Sequence, residues 1–161
     1  MTPFTFYDNV ISKTSKEKYP ETACLREIAG VGPITALAFI LTLDSSERFI
    51  KSRDVGPFIG LTPKRDQSGA SDKQLHITKA GDAHLRRLLV GCSQYILGAF
   101  GPDCDLRRFG LKLAERGGKN AKRRAVVAVA RKLAVKMHHL WKTDESYEPL
   151  HSETAKQKKA A

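Results

Sequence analysis

Leu25-Arg26-Glu27-Ile28-Ala29-Gly30-Val31-Gly32-Pro33-Ile34-Thr35-Ala36 sets two closely spaced glycines between a short apolar-periodic stretch and a longer one. That is the pattern of a helix-hairpin-helix, expected over residues 21–43. Gly30 supplies the left-handed conformation that ends one helix, Gly32 removes a side chain where backbone must come close to something, and Pro33 suits the first turn of the next helix. The unpaired amides at that helix start carry roughly half an elementary positive charge, which suits a phosphate and holds nucleic-acid backbone without reading bases. An ordinary tight turn between two core helices uses the same glycines, and both readings stand at this point.

Working outward, residues 1–20 are mixed and polar with Pro3 and Pro20 as punctuation, which reads as a partly ordered lead-in or the end of a longer helix. Downstream, Ile34, Leu37, Ala38 and Leu41 recur at helical spacing as far as Leu43, and Asp44-Ser45-Ser46 closes that helix. Ser46 to Phe58 reads as one short helix or two. Periodicity then vanishes between Gly60 and Thr78, a long loop or a small hairpin, and such segments in compact domains are usually functional or disordered. It returns at Asp82 to Phe100, where Leu85, Leu88, Leu89, Cys92 and Ile96 form an apolar face and Thr78 or Asp82 serves as cap. Leu106 to Glu115 makes a short helix, Gly117-Gly118 a joint, and Ala121 to Lys142 a long basic amphipathic helix with Val126, Val129, Ala130, Leu133, Met137, Leu140 and Trp141 on its buried side. The expected class is mainly α: a compact helical domain over 21–148, with 149–161 as a disordered tail.

A chain of 161 residues with 41% hydrophobic content supports one real core. Its net charge of +11 and pI near 9.8 favour a polyanionic partner, nucleic acid by default. Lys64, Arg65, Lys73, Lys79, Arg86, Arg87, Arg124, Arg131 and Lys132 fall in patches, several beside glycine-containing loops, and with Gly30 and Gly32 they form the expected nucleic-acid-binding set. Such charge also occurs on a merely solvated face. No apolar stretch is long enough to span a bilayer, so no membrane partner is expected and the chain reads as soluble and cytoplasmic. Cys24, Cys92 and Cys104 lack metal-type spacing, and the carboxylates are scattered singly, so no metal site is indicated. His138 and His139 are adjacent, share no helix face and read as structural or solvent-facing.

Chemistry points to the loop at 60–78, whose centre is Gln67-Ser68-Gly69 after Pro63-Lys64-Arg65-Asp66. A serine flanked by glycine and cations has the makings of a nucleophile toward phosphate, provided a base or metal takes its proton and donors hold the developing charge. Ser-Gly is also a common turn pair.

The run Leu25 to Ala36, followed by Phe58-Ile59-Gly60-Leu61-Thr62-Pro63, Gln67-Ser68-Gly69, Ile77-Thr78-Lys79-Ala80-Gly81 and Leu85-Arg86-Arg87-Leu88-Leu89, resembles in order and spacing the C-terminal domain of the IS-one-ten type insertion-sequence transposases. Ala125 to Ala134 and Tyr147-Glu148-Pro149 extend the likeness. Ala29 departs from the family's usual proline, and Ala70 to Leu75 from its usual glycine and arginine content. The resemblance implies a DNA recombinase in which a serine, here Ser68, attacks the DNA backbone while a structured guide RNA pairs with donor and target. It also implies an acidic RuvC-like domain holding Mg2+, which this sequence does not contain. No cofactor is therefore expected in this chain, and its expected partners are DNA, guide RNA, and either further copies of itself or a RuvC-like domain in trans. On that reading the chain is inactive alone. The other reading is a non-enzymatic nucleic-acid-binding module.

Overall fold

The computed structural model describes residues 3–68 and 71–153, with side chains over 6–64 and 76–153. Along the chain come α1 (Pro3–Lys18), α2 (Thr22–Arg26) and α3 (Pro33–Leu43), then 3-10 turns at Ser46–Arg48 and Ser52–Asp54 that lead into α4 (Val55–Ile59). Antiparallel β1 (Pro63–Ser68) and β2 (Ser71–Ile77) follow, and α5 (Ala83–Leu97), α6 (Asp105–Glu115) and α7 (Ala121–Thr143) complete the order.

The axis of the core is α7. Ala125, Val129, Ala130, Leu133, Ala134, Met137 and Leu140 are buried along it at steps of three and four residues, the period of one helix face. Three alanines in that stripe let neighbouring helices approach closely. Leu85, Leu89, Cys92 and Ile96 of α5 join the same cluster, and α6 and α4 pack on α7 from other sides. From α3 come Ala36, Phe39, Ile40 and Leu43, and the Phe39 ring meets Trp141 edge-on at 6.5 Å. Each fully buried Leu, Ile or Phe contributes about 1.5–3 kcal/mol, so this shared cluster holds the helices together.

Local signals explain the element ends. Asp82, not Thr78, caps α5: its Oδ1 accepts from the Leu85 amide at 2.6 Å. The lead-in is helical through most of its length as α1. The segment that lost its periodicity at 60–78 forms the hairpin, with Ser68 opposite Ser71 at its far end. His138 is buried, bonded to the Ser46 carbonyl and the Ser52 hydroxyl at 2.9 Å each, and His139 is exposed beside Glu145. Burial pushes the His138 imidazole below its ordinary pKa.

Two expectations need correction. Gly30 does not end α2, which stops at Arg26; it turns the chain four residues later. Nor is the tail disordered from residue 149. The Asp105 amide, an orphan donor at the start of α6, bonds the Pro149 carbonyl at 2.8 Å, and the Ser152 amide bonds Asp105 Oδ2 at 2.9 Å. Residues 149–153 thus satisfy a helix end that would otherwise lack partners, and 154–161 lie outside the described residues.

Candidate nucleic-acid interface

The two glycines of the opening motif do different work. In the turn closed by the Val31 amide on the Ile28 carbonyl (3.0 Å), Gly30 has φ +89°, which a side chain tolerates poorly. A Cβ there would also stand 2.9 Å from Tyr95 Cδ1 and 3.3 Å from the Cys92 carbonyl, so this glycine lets the turn sit down on α5. Gly32 faces the other way. It is the N-cap of α3 at φ −88° and ψ 175°, and nothing lies within 4 Å of where its Cβ would be. The first helical bond runs from the Ala36 amide to the Gly32 carbonyl at 3.0 Å, which leaves the Ile34 and Thr35 amides without intrahelical partners beside an open approach. Pro33 stands in the first turn of α3, as expected, Gly32 leaves open space before it, and Gly30 serves packing.

Ser68 is carried by backbone that is anchored below it. At the foot of the hairpin, Gly60 (φ +79°) and Gly81 (φ +71°) let two segments cross in contact: a Cβ on Gly60 would collide with Ala80 backbone, and one on Gly81 with the Phe58 carbonyl. The Thr78 amide bonds the Thr62 carbonyl at 2.9 Å and the Lys79 amide bonds the Gly60 carbonyl at 3.1 Å. Arg86 closes the clasp, its Nη1 donating to the Ile59 and Ala80 carbonyls at 2.9 Å each. A guanidinium suits this because it offers several donors in one plane. Of Gly60 and Gly81, only the first carries a local signal in the sequence, a glycine directly after apolar Ile59 that caps a helix in left-handed geometry.

The basic residues separate by what they touch. Arg86 is half-buried and engaged by the clasp, so it positions backbone. Arg107 donates to the Ile96 and Gly98 carbonyls, and Arg108 pairs with Asp103 and Glu153. Lys64, Lys79, Arg87, Arg124, Arg131 and Lys132 are exposed, with the Lys132 ammonium 4.0 Å from the centre of the Phe109 ring. Arg65 and Lys73 sit in the hairpin, opposite Gln74 and Asp66, with side chains outside the described residues, as is that of Ser68. Among the described residues no group of three His, Cys, Asp or Glu side chains could hold a metal ion. No described helix is long and apolar enough to cross a membrane.

This basic helical domain is a transposase domain. More particularly, the chain belongs to the transposase IS116/IS110/IS902 family, whose sequence profile matches residues 22–105. It is 36% identical over 124 residues to the transposase of insertion sequence element IS1111A from Coxiella burnetii, covering 76% of this chain and 33% of that protein. It is 39% identical over 70 residues to the transposase of element IS1328 from Yersinia enterocolitica, covering 44% of this chain and 21% of that protein. To a probable family 20 transposase of Pseudomonas aeruginosa it is 28% identical over 126 residues, 78% of this chain and 36% of the relative. The chain thus spans about a third or less of the length of these relatives.

Proposed function

We propose that this domain grips nucleic-acid backbone and presents Ser68 as the nucleophile for the strand cleavage and rejoining of transposition. The observation that carries the reading is the clasp: two left-handed glycines, Arg86 and the inter-segment bonds fix the foot of a hairpin whose first strand ends at Ser68. Preorganising a nucleophile on backbone held in this way is what a displacement at phosphorus needs. Ser68 Oγ loses its proton to a base and attacks phosphorus, and the displaced sugar oxygen leaves as a hydroxyl. The resulting serine phosphodiester is then reversed by an incoming strand hydroxyl. Gly32 and the α3 amides anchor backbone alongside, in the manner of a helix-hairpin-helix. In the cytoplasm the domain works with a structured guide RNA, with further copies of itself or with an acidic, metal-holding RuvC-like domain.

The test combines this chain with a RuvC-like domain, guide RNA and a DNA substrate, and seeks a covalent protein–DNA band on a denaturing gel. Ser68→Ala is expected to abolish that band; its persistence in the variant overturns the assignment.

A second reading, a module that binds backbone without chemistry, is favoured by the net charge of +11 and the open space at Gly32. It expects duplex affinity to fall steeply with salt, log K dropping by about 0.9 per phosphate contacted for each decade of salt. Gly32→Val then weakens binding, Ser68→Ala leaves it unchanged, and no covalent band forms with any partner.

A further inference from the structure

At the foot of the hairpin, on the side of α4 that faces α7, lies an open cleft of about 380 Å3 lined by Arg53, Asp54, Pro57, Thr62, Arg131 and Lys132, with Val135 behind. Three cations stand against one carboxylate, and among the described residues neither Arg53 nor Arg131 forms an ion pair. The Thr62 hydroxyl, immediately before β1, likewise has no hydrogen-bond partner among them. Exposed guanidinium groups that converge without a carboxylate partner from 78 residues apart in sequence are held there by the fold, not by local charge patterning.

Gly56 supplies the second, independent observation. It is buried at the second position of the short α4. A Cβ at this position would stand 2.9 Å from Arg131 Cγ and 3.3 Å from Cδ. The missing side chain is therefore the bed on which the Arg131 stem lies across α4, delivering the guanidinium to the cleft.

We propose that this cleft is a phosphate seat, in which Arg131 and Arg53 clamp one phosphodiester of a nucleic-acid strand running past the foot of the Ser68 hairpin, with the Thr62 hydroxyl as a further donor. Guanidinium groups suit phosphate because their planar donors match its oxygens pairwise. Thr62 ties the seat to the hairpin directly, since its carbonyl receives the Thr78 amide in the clasp. A strand held here lies against the foot of the hairpin whose first strand ends at Ser68. The proposal rests on the reading of the domain as one that grips nucleic acid, and names a part of its surface that does so.

The experiment measures duplex DNA binding by fluorescence anisotropy over a range of salt for the full chain and for Arg131→Gln, Arg53→Gln and Gly56→Ala. Lys16→Gln, an exposed lysine on α1, serves as the charge-matched control. Each arginine variant is expected to bind about tenfold more weakly, with the salt slope reduced by about 0.9, whatever the DNA sequence. Gly56→Ala is expected to weaken binding without any change in charge, which a purely electrostatic surface effect would not do. If Arg131→Gln and Arg53→Gln match Lys16→Gln while the full chain still binds, the seat is wrong and the broader reading survives. A full chain that fails to bind duplex overturns both. A parallel titration with inorganic phosphate, followed by NMR of the arginine side chains, separates the sources. Arg131 signals that saturate with free phosphate, together with unchanged duplex affinity in Arg131→Gln, assign the cleft to a small anion and overturn the proposal.

Discussion

Two arginine-bearing regions of this molecule look alike in sequence and differ in the fold. Around the ends of α5 and α6, Arg86, Arg107 and Arg108 are engaged by their own chain, the first two on four backbone carbonyls and the third on Asp103 and Glu153. In the α4–α7 cleft, Arg53 and Arg131 have no such partners among the described residues. The difference teaches that a basic patch is two things at once, an internal brace and an external surface, and that the count of charges does not separate them. Removing a brace is expected to cost stability, and removing a surface cation to cost binding alone.

The sharpest way to break the braced region is at its glycines. Gly81→Ala puts a Cβ into the Phe58 carbonyl at a φ of +71°, so both backbone strain and collision act, and no flexible side chain is there to move aside. A loss of more than about 3 kcal/mol is expected in urea denaturation, with the covalent adduct lost in parallel because the hairpin foot opens. Next in size is Arg107→Ala, which strips the Ile96 and Gly98 carbonyls of their donor. A loss of about 2 kcal/mol, some 4–8 °C in melting temperature, is expected there, against less than about 0.5 kcal/mol for Arg131→Gln. Equal losses for the two would erase the distinction between brace and surface.

A smaller effect comes from the turns that border the cleft. His138 joins both 3-10 turns to α7, and burial lowers its pKa in the folded state, with Lys142 acting in the same direction and Glu47 against it. The unfolded chain therefore binds the proton more readily than the folded one between the lowered value and about 6.5. Stability is full above that range and falls as pH drops through it, by no more than about 1.4 kcal/mol per pH unit for the one proton. Thermal melts of the wild type between pH 7.5 and pH 5, compared with His138→Gln, are expected to show this slope flattened in the variant.

What sequence could show here follows from the range over which each feature acts. The apolar faces of α5 and α7 and the Pro33 start are local patterns of period or adjacency and are legible, and the Asp82 cap is legible as one of two candidates with Thr78. The hairpin was legible only as one of two alternatives, since its strands are polar and carry no alternation to one buried face. The fate of each arginine was not legible. The carbonyls that Arg86 engages lie 6 and 27 residues away, and the partners of Arg108 lie 5 and 45 residues away, so nothing near them in the sequence marks them as occupied. The ordered start of the tail escaped for the same reason, because the donor that recruits Pro149 sits at the beginning of α6.

That docked segment offers the finest test of the comparison, because it mixes both kinds of contact. Glu153 and Arg108 form an exposed ion pair, which solvent screens and salt weakens further. The Asp105 amide bond to the Pro149 carbonyl instead satisfies a helix end, and the Ser152 amide donates to the Asp105 carboxylate beside it. If braces are defined by the backbone groups they satisfy, Glu153→Gln is expected to change the unfolding free energy by less than about 0.5 kcal/mol, and added salt to erase even that. Hydrogen exchange at the Asp105 and Ser152 amides is expected to stay slow in the variant. Fast exchange there would mean that the ion pair, and not the helix end, holds the segment, and Arg108 would then brace the fold through its charge.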